Sequence, residues 1–279
     1  MKWCCPVGEL GAVSRTKAGP VTQDRLLRDL GALGLEPGSV VIVHSSLSSL
    51  GWVPGGAVTV IRALQHAVRT YGTLVMPAHS GDYSDPSLWE NPPVPQEWWP
   101  VIRETMPAFD PEVAPTRGIG RIPELFRTFP DVLRSAHPHV SFTAWGERAI
   151  EILANHGLDD SLGEMSPLAR IYDHDGWVLF LGTDFNANTS FHLSEYRSDY
   201  ATKERVTLGA PVNVEGHTRW RTFSDINYDS SDFGEIGRAF AKSHKQQIHS
   251  GKVGMASCLL FRQRIAVDFA SKWMHTHRR

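Results

Sequence analysis

The sequence is short of cysteine, and its cysteines do not form a pattern. It holds three cysteines in 279 residues, and two of them, Cys4 and Cys5, are adjacent, which is a poor geometry for a disulfide. The odd total argues against a disulfide framework and predicts a reducing, cytoplasmic compartment. Cys258 stands in the apolar segment 257–261, where we expect a core residue and not a nucleophile.

Other absences exclude several partners. No apolar run is long enough to cross a bilayer, and the first residues lack the apolar core of a secretory signal, so no membrane contact is expected. The formal net charge is -2, whereas nucleic-acid binding needs a clustered basic face. Neither Cys-x-x-Cys nor His-Glu-x-x-His occurs, so no metal site is predicted.

What the sequence does contain is an alternation of helical and extended patterns. Thr22 is typical of a helix N-cap, the leucines after it recur at helical spacing, and Gly34 ends the pattern. The apolar runs 40–43, 73–77 and 177–182 are typical of strands buried on both faces. This alternation predicts an α/β fold with a layered mixed β-sheet flanked by helices.

The two ends of the chain are expected to differ from this central unit. Residues 1–19 are predicted to form a flexible N-terminal tail, so that the domain itself spans residues 20–279. Residues 207–223 are typical of antiparallel strands around a turn at Glu215, and a helix is predicted near 232–249. We therefore expect a single domain with a C-terminal α+β elaboration.

Histidines, serines and carboxylates follow three of the predicted strands. They occur in His44-Ser45-Ser46, in His79-Ser80-Gly81-Asp82 and in the stretch 184–192. In open α/β sheets, ligands bind outside the carboxyl ends of the strands. Each segment alone is also explained as a structural turn, because serines cap chain reversals and a histidine can bind a core carbonyl. Together, three such ends at one edge predict a functional site.

His192 is the candidate general base within this site. It lies in the first turn of a predicted helix, and imidazole can accept a proton near neutral pH. Glu195 or a loop carboxylate would fix the tautomer of His192 and raise its basicity. A hydrogen-bonded structural histidine is the alternative interpretation.

Three further segments have the composition of a ligand site. The loop 47–56 offers backbone N–H groups to an anion, although an ordinary loop is the favoured explanation of this segment alone and no phosphate-binding glycine motif is present. Arg134 could pair with a phosphate or a carboxylate. An acidic group before the C-terminal helix is interpreted either as helix caps or as a wall that attracts a cation: Asp225, Asp229 and Asp232.

Residues 81–118 are rich in proline and show little periodicity, which is typical of an active-site loop or lid. Within them, the tryptophans and prolines of residues 85–100, here called the Trp/Pro loop, predict an ordered segment that packs on another surface. An exposed loop of this kind is a candidate contact in a homodimer.

Several short motifs, taken in order, resemble the aminoglycoside 3-N-acetyltransferases over roughly residues 20–265. They are Val43-His44-Ser45-Ser46, Thr73-Leu74-Val75-Met76-Pro77, Arg134-Ser135-x-His137-Pro138 with Ser141 and Gly146, Ser166-Pro167, and Asn188-Thr189-x-x-His192-x-x-Glu195. This family uses acetyl-coenzyme A to acetylate an amine of a deoxystreptamine ring. The resemblance implies direct acetyl transfer to the 3-amino group of an aminoglycoside, and hence antibiotic resistance.

The resemblance also implies roles for single residues. His192 would be the general base, and His44 would line the reaction centre. The contacts of acetyl-coenzyme A would come from Ser45, Ser46, Leu47, Ser48, Gly51, Arg134 and Ser135. The contacts of the cationic amine substrate would come from Asp82, Asp225 and His79.

Three alternatives stay open. The Trp/Pro loop resembles only a subset of the family, so the acceptor could be an amine that is not an aminoglycoside. A serine hydrolase could use Ser45 or Ser80 with His192, although the sequence has no Gly-x-Ser-x-Gly elbow. A non-catalytic binder would keep the cleft without turnover.

Overall fold

A seven-stranded mixed sheet forms the centre of the computed structural model, which describes residues 7–17 and 19–279. The strands of the described chain are β1 (Val40–Ser45), β2 (Thr73–Pro77), β3 (Leu133–Arg134), β4 (Phe142–Gly146), β5 (Trp177–Leu181), β6 (Arg205–Val214), β7 (His217–Ile226), β8 (Ile248–Val253) and β9 (Ala256–Arg262). Across the main sheet their order is β3-β4-β2-β1-β5-β9-β8. Strand β1 is parallel to β2 and β5, and the other neighbours are antiparallel.

Helices cover both faces of this sheet. They are α1 (Val7–Arg15), α2 (Gln23–Leu33), α3 (Ala57–Val68), α4 (Trp99–Thr105), α5 (Arg121–Phe126), α6 (Ala149–Leu153), α7 (Pro167–Asp173), α8 (Ser190–Arg197), α9 (Phe233–Ser243) and α10 (Gln263–His277). As far as the described residues extend, none of these helices is long and apolar enough to cross a bilayer.

The sheet has a separate apolar core on each face. Along β1, Val41 and Val43 pack with residues of α2 and α3, whereas Val40 and Ile42 belong to the core formed with α7, α8, α9 and α10. Alternate side chains of a strand point to opposite faces, so a strand covered on both sides is apolar at every position. The α/β fold predicted from the sequence, with a layered mixed sheet in a single domain, is confirmed.

The C-terminal region adds a hairpin and then returns to the main sheet. Strands β6 and β7 pair only with each other, around a turn in which Glu215 and Gly216 have φ angles of 52° and 81°. The antiparallel strands predicted here are therefore present. The helix predicted near 232–249 is too long, because α9 ends at Ser243 and Ile248 already begins β8.

Helix α1 lies within the predicted N-terminal tail and contacts the loop after β1. Arg15 donates from Nη2 to the Ser48 carbonyl at 2.9 Å, and Thr16 Oγ1 accepts a hydrogen bond from the Trp52 N–H at 2.8 Å. Residues 1–6 and 18, and with them Cys4 and Cys5, lie outside the described residues. The flexibility of the tail and its boundary with the domain stay predictions.

Two histidines join the hairpin to the main sheet. His139 Nε2 lies 3.2 Å from the Gly209 carbonyl of β6, and the His139 N–H donates to His137 Nδ1 at 3.1 Å. The Phe223 ring of β7 packs against both imidazoles, with centroid distances of 5.6 Å to His137 and 5.2 Å to His139. These contacts make the hairpin part of the same folded unit.

His156 completes this group from the other side. Its ring lies 5.0 Å from that of His137, its Nδ1 is bonded to Ser135 Oγ at 2.9 Å, and its Nε2 contacts the Ser161 carbonyl at 2.6 Å. Burial lowers the pKa of His156 to about 4. Burial also lowers the pKa of His137 well below its ordinary value.

We expect the protein to lose stability as the pH falls from 7 to 5. In this range the histidine of the unfolded chain takes up a proton, whereas folded His156 does not. The free energy of unfolding is therefore highest above pH 6.5 and falls as the pH decreases towards 4. In urea unfolding, H156Q should reduce the loss of unfolding free energy between pH 7 and pH 5 by about 2 kcal/mol. H217Q, at an exposed position of the β6–β7 hairpin, should show the pH dependence of the wild type. Equal pH dependence of H156Q and wild type would contradict this expectation.

Candidate active site

The carboxyl ends of β1, β2 and β5 lie at one edge of the sheet. Strand β1 pairs in parallel with β5, where His44 stands opposite Phe180. Just after β5, Thr183 donates from Oγ1 to the His44 carbonyl at 3.3 Å. On the other side of β1, the parallel strand β2 leads directly to His79. The structure thus brings the three predicted segments together.

His192 is held by a carboxylate of its own helix. Helix α8 begins at Ser190 and places His192 and Glu195 three residues apart, on the same side. His192 Nδ1 lies 2.6 Å from Glu195 Oε2. Glu195 is completely buried, whereas the His192 side chain is 16% exposed. Because a carboxylate only accepts hydrogen bonds, Nδ1 carries the hydrogen and Nε2 keeps a lone pair that can take a proton.

Two other segments compensate the charge of Glu195. Its Oε1 accepts hydrogen bonds from Arg278 Nη1 at 2.6 Å and from the Asp229 N–H at 2.9 Å. Arg278 in turn donates to both carboxylate oxygens of Asp232, at 2.8 and 2.7 Å. Arg278 could not be predicted from the sequence, because no local motif marks it. Asp232, which the sequence predicts as a helix cap or as part of an acidic wall, is the ion-pair partner of Arg278.

Aromatic rings border the His192 imidazole. The ring centroids of Tyr228 and Phe233 lie 5.3 and 4.8 Å from that of His192. Within the described part of the chain, no protein group forms a hydrogen bond with His192 Nε2. That nitrogen is therefore available to a ligand.

His44 and His79 are neutral imidazoles beside this site. Burial lowers the pKa of each to about 3, and for His79 the nearby His192 and His44 lower it further. Among the described residues, the buried Nε2 atoms of both histidines and the buried Oγ of Ser45 have no hydrogen-bond partner. A buried polar atom without a partner is unfavourable, so these three atoms fit a polar ligand group.

The predicted coenzyme A loop lies against the end of β5. The Ser46 N–H donates to the Leu181 carbonyl at 3.0 Å, and Ser49 donates from Oγ to the Gly182 carbonyl at 3.1 Å. Ser45 and Ser46 therefore stand at the site.

The remaining residues of that loop have differing surroundings. Leu47 packs against the core, and the Ser48 side chain is exposed. Gly51 has a φ of 89°, and a Cβ there would lie 2.8 Å from Met255 Cγ. Gly51 therefore serves the close packing of the loop.

Arg134 and Ser135 bind within the protein. The Arg134 guanidinium donates to Ser141 Oγ at 3.0 Å, to the Ala78 carbonyl and Ser80 Oγ at 2.7 Å each, and to two further carbonyls. Burial lowers the pKa of Arg134 to about 10. Ser135 is buried and bonded internally. These bonds attach a loop to the sheet, and the predicted coenzyme A contacts of the two residues stay predictions.

The two carboxylates predicted to bind substrate already have protein partners. Asp82 forms an exposed ion pair with Arg117. Asp225 is completely buried and accepts hydrogen bonds from Ser161 Oγ at 2.6 Å, from the Tyr228 hydroxyl at 2.5 Å and from a second tyrosine. Asp225 thereby holds Tyr228, whose ring borders His192, and its predicted contact with a substrate stays a prediction.

An internal ion pair holds the Trp/Pro loop. Asp85 accepts hydrogen bonds from Arg103 at 2.9 and 2.7 Å, and the Arg103 guanidinium lies 5.8 Å from the Trp99 ring. Trp98 is 54% exposed. The ion pair orders the loop, whereas its predicted packing on another surface stays a prediction.

A cysteine nucleophile, a serine nucleophile and a metal centre find less support at this site. Cys258 is buried in the core, as predicted. Ser80 donates to the Pro115 carbonyl at 2.7 Å, and neither Ser80 nor Ser45 is bonded to His192 in the described protein. Among the described residues, no group of three or more His, Cys, Asp or Glu side chains could hold a metal ion.

Known proteins of one family match most of this chain. The sequence model of the aminoglycoside 3-N-acetyltransferases matches residues 42–275. The SPbeta prophage-derived aminoglycoside N(3')-acetyltransferase-like protein YokD of Bacillus subtilis (strain 168) is 50% identical over 255 residues, which are 91% of this chain and 92% of YokD. Aminoglycoside N(3)-acetyltransferase IX of Micromonospora chalcea is 35% identical over 273 residues, covering 92% of this chain and 94% of that protein.

Two solved structures are also similar. AAC-IIIb in a binary complex with CoASH has a TM-score of 0.84 and 31% identity, covering 93% of this chain and 98% of that one. AAC-VIa bound to sisomicin has a TM-score of 0.82 and 30% identity, covering 93% of this chain and 99% of that one. The resemblance and the enzyme class predicted from the sequence are thereby confirmed. The chain belongs to the aminoglycoside 3-N-acetyltransferase family.

Proposed function

We propose that this protein transfers the acetyl group of acetyl-coenzyme A to the 3-amino group of a 2-deoxystreptamine aminoglycoside, with His192 as general base. The observation that carries the proposal is the bond between His192 Nδ1 and the buried Glu195 carboxylate, which leaves Nε2 open at the ends of β1, β2 and β5. The CoASH and sisomicin complexes of related proteins support the choice of substrates. We also propose a cytoplasmic location, where acetyl-coenzyme A is available.

The chemistry requires a free lone pair on the amine. His192 Nε2 takes a proton from the acceptor ammonium, and the nitrogen then bonds to the thioester carbonyl carbon. The carbon–sulfur bond breaks, the nitrogen loses its second proton as the amide forms, and the coenzyme A thiolate takes up that proton and leaves as a thiol. The Glu195 carboxylate stabilises the imidazolium that forms on His192.

Acetyl transfer also requires a donor that stabilises the negative charge on the carbonyl oxygen after attack. Neutral His44 suits this role. Preorganised donors stabilise such an oxygen without reorganisation. With a pKa of about 3, His44 stays uncharged at working pH, and its buried Nε2 has no partner in the described protein. His44 would donate from Nε2 to the oxygen, and the loop from Ser46 to Gly51 would hold the co-substrate.

The exposed carboxylate of Asp229 is the best candidate to bind the cationic acceptor. Hydrogen bonds from Ser231 lower the pKa of Asp229, and the nearby His192 lowers it further, which keeps the carboxylate charged. Asp82 would be a second contact where the acceptor displaces Arg117. A homodimer through the Trp/Pro loop stays a prediction.

H192N should lower kcat by about 10²–10⁴-fold, because the amide cannot act as a base. Thiol release should be measured with acetyl-coenzyme A and a panel of 2-deoxystreptamine aminoglycosides and other primary amines, and coenzyme A binding by calorimetry should be unchanged. His174, bonded to Glu151 at 2.8 Å on the surface, provides the matched control H174N, which should turn over like wild type. Near-normal kcat in H192N would refute the base assignment. A wild type that binds acetyl-coenzyme A without releasing thiol on any amine would be a binder.

E195Q should lower kcat by at least about 10²-fold with little effect on the KM for acceptor. The new amide would donate to His192 Nδ1, so the imidazole hydrogen moves to Nε2 and the basic lone pair is lost. E151Q removes the carboxylate of the surface pair and is the control. Equal kcat values for E195Q and E151Q would contradict the assigned tautomer.

A further inference from the structure

Arg278 is a buried cation to which the mechanism above gives no role. Only 6% of its side chain is exposed, and its Nη1 lies 2.6 Å from Glu195 Oε1. The other carboxylate oxygen, Oε2, lies 2.6 Å from His192 Nδ1. A single carboxylate therefore joins the proposed base to Arg278. The Tyr200 ring, 5.1 Å from the guanidinium, covers Arg278 from another side.

The hydrogen bonds of Arg278 fix the guanidinium in one orientation. Nε and Nη2 bind the two carboxylate oxygens of Asp232, and Nη2 also donates to the Asp229 carbonyl at 2.6 Å. The Asp229 N–H donates to Glu195 Oε1, the oxygen that Arg278 also binds. A planar guanidinium can satisfy such a set of acceptors at once, whereas a lysine ammonium acts as a point charge.

These groups also set the charge around His192. Glu195 and Asp232 are two carboxylates and Arg278 is one cation, so the group has a net charge of about −1 before His192 takes up a proton and about 0 afterwards. Further titratable groups that face the imidazole are Tyr228, Asp229 and His79. Removing Arg278 makes the surroundings more negative, whereas removing the charge of Asp232 makes them less negative.

We propose that Arg278 is a positioning residue, which holds the Glu195 carboxylate against His192 and balances the charge that His192 meets when it takes up a proton. The catalytic meaning of this proposal rests on the proposed function, whereas the contact itself does not. Charges within about 4–6 Å shift a titration by about one to three pH units. R278Q and D232N should therefore displace the titration of His192 in opposite directions.

The test follows the imidazole C2 resonance of His192 by NMR across pH in the full chain, with H192N to identify the resonance. In R278Q the midpoint should move up by about one pH unit, and in D232N it should move down. R278K keeps the charge and should move it by less than R278Q. The acid limb of the kcat/KM profile should move in the same directions.

Arg197 provides a matched control on helix α8 itself. It forms a comparable two-bond ion pair with Glu164, at 2.7 and 2.8 Å, at the surface. R197Q should leave the His192 midpoint at its wild-type value. A displacement as large as that in R278Q would overturn the proposal, because any loss of a cation would then have the same effect.

The remaining outcomes separate positioning from stability. A lower melting temperature of R278Q with an unmoved midpoint would make Arg278 purely structural and would overturn the proposal. If R278Q does not fold, D232N and R278K decide: a downward shift in D232N supports the proposal, and no shift in either variant overturns it. Since the NMR measurement needs no turnover, a wild type that acetylates no amine would refute the proposed function without deciding the role of Arg278.

Discussion

The structure around the site depends on how one buried carboxylate is neutralised. Glu195 has no exposed surface, and a charge is strongly destabilising in such a place unless it is paired and hydrogen-bonded. Its partners come from three parts of the sequence: His192 on the same helix, the backbone of Asp229 before α9, and Arg278 after α10. Three elements are therefore held around one charge, and the same bonds direct the Nε2 lone pair of His192 away from the carboxylate.

The neighbourhood of His192 contains few competing proton acceptors. Burial keeps His44 and His79 neutral, with pKa values of about 3. The Asp225 carboxylate, which resembles a substrate ligand in sequence, is surrounded by hydroxyl donors and closed to solvent. The neutral His44 and His79 leave proton uptake to His192, and they provide uncharged donors for a developing oxyanion.

Local signals predicted more of the fold than of the site. Helix α2 begins and ends where the cap residues indicate, because Thr22 accepts a hydrogen bond from the backbone and Gly34 adopts a φ of 103°. The His–Glu pair could also be predicted, since a helix brings residues three apart to one side. Arg278 could not, because it lies 83 residues from Glu195 and only tertiary folding joins them. The internal bonds of Arg134 could not be predicted either, because its residue type indicates an anion and only folding places carbonyl and serine oxygens around it.

A crystal structure of the protein with coenzyme A and a 2-deoxystreptamine aminoglycoside would show whether His192 meets the acceptor amine. We expect the 3-amino nitrogen within hydrogen-bond distance of His192 Nε2, about 3 Å, and next to the coenzyme A sulfur. An acceptor amine bound away from His192, or a protein group bonded to Nε2 in that complex, would refute the role of His192 as general base.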